Sequence, residues 1–213
     1  MAAVNTMDGK ALHRRALRLE WLTVAWNVVE ALVAIGAGII SGSTALIAFG
    51  MDSVIEVASA IGLLWRLYSA GPEAEIGERG KAERRALYVV AGTFFALAAY
   101  ILFESIPALL AREAPDTSMV GLVLSVLSLL VMPALAWTKQ RTGREMNSKA
   151  LQADAAETWV CSWMSFSLLL GVGLNAAFGW WWADSAGALL MLPVIVWQGW
   201  DALGEAREQA DES

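Results

Sequence analysis

Apolar and polar positions segregate on the scale of whole helices. Six predominantly apolar runs stand at roughly 19–40, 44–65, 86–110, 118–137, 153–174 and 180–200, separated by short polar stretches. A bilayer core about 30 Å thick needs about 20 such residues at about 1.5 Å rise each. The pattern predicts an all-α integral membrane fold of six transmembrane helices. Residues 1–18 form a polar tail, 19–203 the membrane domain and 204–213 a short acidic stub, with no room for a separate soluble domain. The first run is too long for the apolar segment of a signal peptide.

Charge sets the expected orientation. Of the 15 Lys and Arg residues, all but Arg112 fall in the N-terminal tail, the loops after runs two and four, or the C-terminal flank. The positive-inside bias places both termini in the cytoplasm. Trp65 and Trp137 fall at the expected inner interface, and Trp180, Trp181 and Trp182 at the outer one, where aromatic belts form. Composition agrees: 57% of residues are hydrophobic and 17% charged, against about 25% charged in a soluble domain. A net charge of −6 without a basic stripe sets nucleic acid aside. The single Cys and single His exclude a disulfide framework, a Cys-only zinc site and a multi-histidine centre. An enzyme is also set aside, because no His lies in the runs and Cys161 has no base beyond carboxylates.

Carboxylates in hydrocarbon are costly and face interior cavities. Glu30, Asp52, Glu56, Glu104 and Glu157 lie well inside the runs. With these boundaries no Lys or Arg neutralises them, and Lys139 falls in a loop. Asp154, Asp184 and Asp201 fall at run ends and read as interfacial. Asp52 and Glu56 are four apart on one helix face, as are Glu157 and Cys161. Together they offer three oxygen ligands and one sulfur, a set that tetrahedral zinc accepts. The soft thiolate leans away from magnesium and calcium. Glu30 and Glu104 are candidates for a proton relay or for support behind the ligands. Gly36, Gly38, Gly171 and Gly173 are candidates for close helix approach, and Pro193 for a kink.

An internal repeat links the two pairs. Ser43-Thr44-Ala45-Leu46-Ile47-Ala48 aligns with Ser148-Lys149-Ala150-Leu151-Gln152-Ala153. At the same offset Asp52 falls on Glu157, Ser53 on Thr158 and Glu56 on Cys161. Corresponding segments in opposite orientation place transporter sites near the membrane midplane.

These residues resemble the transmembrane domain of the cation diffusion facilitators. The matching segments are Ser41-Gly42-Ser43-Thr44-Ala45-Leu46, Met51-Asp52-Ser53-Val54-Ile55-Glu56, Gly80-Lys81-Ala82-Glu83, Phe103-Glu104-Ser105-Ile106, Asn147-Ser148-Lys149-Ala150-Leu151 and Ala153-Asp154. The resemblance implies export of a divalent metal ion in exchange for protons, zinc first and cadmium second, without a prosthetic group. It assigns the transport site to Asp52, Glu56, Glu157 and Cys161. The family usually has Asp or His and then Asp on span 2, and His or Asp and then Asp on span 5. Glu56, Glu157 and Cys161 depart from that pattern and leave manganese, iron and cobalt open. The family's loop site before span 3 uses His and Asp. Arg79 stands at the expected His, so that site is expected to be absent. The chain stops after span 6 and resembles the family's tailless branch, which includes the animal transmembrane-protein-163 group. The expected setting is a bacterial inner membrane, with a homodimer as candidate assembly. Two other classes stay open: a proton-coupled exporter of organic cations using Glu30, and a non-transporting metal-binding membrane subunit.

Overall fold

The computed structural model describes residues 2–70, 80–112 and 115–211. They form α1 (Ala2–Ser41), α2 (Thr44–Ala70), α3 (Gly80–Ala111), α4 (Met119–Glu145), α5 (Lys149–Phe178) and α6 (Ala183–Asp211), with no strand among the described residues. All six helices are long and apolar enough to cross a membrane, as the hydropathy pattern predicts. They run past the apolar runs that mark them. Residues 2–18 continue α1, and residues 204–211 continue α6. The expectation at Arg79 lies outside the described residues.

Three helix pairs dominate the packing: α1 with α2, α4 with α5, and α3 with α6. The first two pairs join through α1–α4 and α2–α5 contacts into a four-helix bundle. The α3–α6 pair rests on it, mainly through α6 against α5. The core holds Phe49, Ile101, Met132, Met164, Leu168, Met191 and Ile195. Leu32, Ile40, Phe103 and Leu110 are exposed on the outside, as side chains facing lipid must be. Trp65 and Trp137 are exposed towards the end of the bundle that carries both termini. Trp180 and Trp182 stack at the opposite end, with ring centroids 5.1 Å apart.

The repeat has a structural meaning. Ser43 Oγ accepts from the Leu46 amide at 3.1 Å, and Ser148 Oγ accepts from the Leu151 amide at 3.4 Å. Each is the N-cap of its helix, satisfying an amide that has no partner within the helix. The two copies thus start α2 and α5 alike, at opposite ends of the bundle.

Asp184, read from sequence as interfacial, is buried. Its carboxylate accepts from the Ser43 hydroxyl and from the Ala45 amide at 3.4 Å. A negative charge at a helix N-terminus complements the helix dipole, so the start of α6 caps the start of α2. Asp184→Ala is expected to cost about 1–2 kcal/mol, the range for losing a helix cap. A thermal scan in detergent should show it as a fall in Tm of about 2–8 °C.

Of the four glycines singled out, two lie at tight crossings. A Cβ on Gly38 would come within 2.7 Å of the Ile47 side chain, and one on Gly171 within 3.1 Å of the Ala183 carbonyl oxygen and 3.3 Å of Gly187 Cα. Gly36 has open space, and Gly173 only ordinary contacts. Gly187, across from Gly171, is tighter still: a Cβ there would lie 2.9 Å from Gly171 Cα.

Candidate functional site

Asp52 and Glu56 lie one turn apart on α2, and both are buried. α5 runs antiparallel beside α2. Its Cys161 is 1% exposed, and the thiol lies beside both carboxylates. Glu157, one turn nearer the terminus-bearing end, is exposed and accepts from Ser59 Oγ at 2.8 Å. The four expected ligands are therefore neighbours along one α2–α5 seam.

Asp52, Glu56 and Glu157 also line a cavity with Ile55, Ser59, Phe94 and Gln198, so α2 and α5 face α3 and α6 across it. About 20 Å³ is open there to the centre of a water-sized body, room for roughly one water or one ion. Glu56 Oε2 and Gln198 Oε1 are buried without a hydrogen-bond partner among the described residues. Even so, among the described residues no three His, Cys, Asp or Glu side chains are drawn together closely enough to hold a metal ion.

Glu30 does not line this cavity. It is fully buried on α1, accepting from Trp26 Nε1 at 3.1 Å and from Ser53 Oγ at 3.0 Å. Ser53 is the residue after Asp52, so Glu30 sits directly behind the α2 pair. Glu104 is exposed on α3 and is not among the cavity-lining residues.

The reading that no basic residue enters the spans is overturned. Lys139 is fully buried within α4. It pairs with Asp154 of α5 and with Glu20 of α1, whose carboxylate is 3.5 Å away. Asp154 is accordingly buried, not interfacial, whereas Asp201 is exposed. The apolar run ends near Trp137, but the helix continues to Glu145, and two carboxylates from neighbouring helices make burial of the ammonium affordable. Lys139 also donates to Thr158 Oγ1 at 3.4 Å, and the Thr158 hydroxyl has two acceptors in reach, the Asp154 carbonyl oxygen at 3.1 Å and Glu56 Oε1 at 3.2 Å. Thr158 was visible from sequence only as the repeat partner of Ser53. Nothing in the local pattern marked Glu20 or Lys139.

Comparison with known proteins agrees with this architecture. The cation efflux transmembrane domain matches residues 21–208, almost the whole six-helix body. The chain belongs to the cation efflux family. Transmembrane protein 163 of Xenopus laevis is 27% identical over 88% of this chain and 66% of its own length. A cation-efflux pump of Shewanella oneidensis, FieF, is 29% identical over 78% of this chain and 56% of its own. An uncharacterised transporter of Synechocystis is 29% identical over 80% of this chain and 56% of its own. The chain thus spans between about half and two-thirds of the length of these relatives. Its six helices form a cation efflux transmembrane domain.

Proposed function

We propose that this cation efflux domain exports a divalent metal ion, zinc first and cadmium second, in exchange for protons. Asp52, Glu56, Glu157 and Cys161 take the ion as cargo. The observation that carries this reading is the α2–α5 seam. Three carboxylates and a thiol from two repeat-related helices stand along it, and the carboxylates line a cavity with room for one small body. Binding rotates these side chains inward from their unliganded positions. Carboxylates and thiol must be deprotonated to ligate, so metal and protons compete for the same groups. That competition is the basis of exchange. The cavity lies about midway along α2, the depth at which a transporter exposes its site to either side in turn. Glu30, which accepts from Ser53 beside Asp52, is the candidate proton relay. Glu104, exposed on α3, is no longer proposed for that role.

The test is zinc accumulation by proteoliposomes holding the full chain, under an imposed pH gradient. Uptake above protein-free vesicles that collapses when the gradient is dissipated is the expected result. Verified reconstitution with no flux of zinc, cadmium, manganese, iron or cobalt would overturn the proposal. The purified chain in detergent, weighed by light scattering before reconstitution, reports whether it is a homodimer.

A further inference from the structure

Among the described residues, Lys139 is the only basic side chain that is fully buried. It joins three helices, reaching Glu20 on α1 and Asp154 on α5 from its own place on α4. Its remaining contact leads towards the cation site. One hydroxyl, that of Thr158, stands between the ammonium and Glu56, with contacts of 3.4 and 3.2 Å. That hydroxyl shares its one proton between Glu56 Oε1 and the Asp154 carbonyl oxygen, 3.1 Å away. Among the described residues Glu56 Oε2 has no hydrogen-bond partner and is the oxygen left to ligate.

Stability alone gives little reason for this arrangement. Replacing a buried ion pair or triad by packed apolar groups is often neutral or stabilising. Ionisable residues inside a membrane mark function by default, with their partners named. Its position supplies the use. A fixed positive charge two hydrogen bonds from a carboxylate ligand repels a divalent ion bound there, and a weakly polarisable interior transmits that repulsion well. A transport site must bind firmly enough to load and loosely enough to release. Three carboxylates and a thiol unopposed would favour loading over release.

We propose that Lys139 is a positioning residue of the cation site: a tethered internal cation that fixes Glu56 through Thr158 and loosens the site's hold on its ion. Asp154 and Glu20 hold the ammonium in place and temper its charge. This inference rests on the transport reading above. The competing role is a clamp that merely joins α1, α4 and α5.

The two roles differ in sign. Zinc flux is measured in proteoliposomes of the full chain, with all variants held at one fixed pH. Lys139→Gln removes the repulsion, and zinc KM is expected to fall about tenfold with kcat falling alongside, because release slows. Lys139→Arg retains the wild-type KM. Asp154→Asn leaves the ammonium less compensated, and KM rises about tenfold. A clamp predicts that both neutral variants weaken binding. KM shifts in the same direction, or no shift, overturn the inference. Should Lys139→Gln alone fail to fold, the Lys139→Gln/Asp154→Asn double variant decides. Its KM returns close to wild type if the charge matters, and stays as high as that of Asp154→Asn if only the clamp does. Wild-type protein that moves no ion overturns the transport reading and this inference together. Active wild type with unshifted variants overturns the inference alone.

Discussion

Asp52→Ala is expected to lose gradient-driven zinc flux down to the level of protein-free vesicles. Asp52 is 3% exposed, lines the cavity and stands beside the Cys161 thiol. Among the described residues, no other carboxylate is placed to take over its position. Glu30 is tied to Trp26 and Ser53, and Glu56 lies a turn further along α2. Removing one partner of a buried charge contact costs about 2–5 kcal/mol, so ion affinity falls about 30-fold or more at 1.4 kcal/mol per decade. Alanine leaves the helix intact, because Asp52 sits in its interior and caps nothing. The variant should therefore reconstitute as well as wild type, with a matching thermal scan. Asp52→Ala that still accumulates zinc would remove the α2–α5 seam as the transport site. Metal-independent extrusion of organic cations that needs Glu30 but not Asp52 would restore the drug-exporter reading.

Lys139→Met should produce the largest loss of stability. The methionine keeps the length of the side chain and fills the same space. It leaves the Asp154 and Glu20 carboxylates buried without their counter-ion. Breaking a buried pair by removing one partner costs about 3–5 kcal/mol, against roughly 0.5 kcal/mol or less for a typical surface change. In detergent this corresponds to a fall in Tm of about 6–20 °C. Arg141→Met, two residues on, is the contrast. Its ion pair with Glu145 spans one turn at the surface, a class worth about 0.3–0.5 kcal/mol. A Tm for Lys139→Met within a degree or two of Arg141→Met would show that the buried triad contributes nothing.

Short-range signals in the sequence carried most of the fold and half of the site's geometry. Run length located the six helices, because a bilayer demands that length of each. A four-residue spacing put Asp52 with Glu56 and Glu157 with Cys161 on shared faces, and the 105-residue offset between Ser43 and Ser148 aligned the two pairs. The features that escaped depend on partners remote in the chain. Asp184 caps a helix that begins about 140 residues earlier, and no local pattern distinguishes it from an aspartate at the membrane surface. Lys139 reads as a positive loop residue until α1 and α5 bring Glu20 and Asp154 to it. Hydropathy ended the fourth span at the first polar residues, whereas a helix ends only where its backbone does. Glu104 fails for the opposite reason: its depth in the span was readable, but the face of α3 that it occupies was not.

The attachment of α6 is uneven along its length. At its start, Asp184 caps α2 and Gly187 meets Gly171 backbone to backbone. Further along, Gln198 borders open space. Beyond the crossing α6 stays packed on α3, with Phe95 against Gly199 and edge-on to Trp200 at 5.5 Å, so the α3–α6 pair together forms a lever with its fulcrum at the glycines. A tilt of roughly 10° about the glycine crossing barely disturbs the fulcrum, yet it carries Gln198, about 16 Å along the helix, sideways by about 3 Å. That is about the width of a water molecule, so a small rotation at the glycine pair is enough to widen or shut the chamber beside Glu56. A bulkier residue at Gly187 would shift the pivot itself, altering the chamber from a position that does not line it.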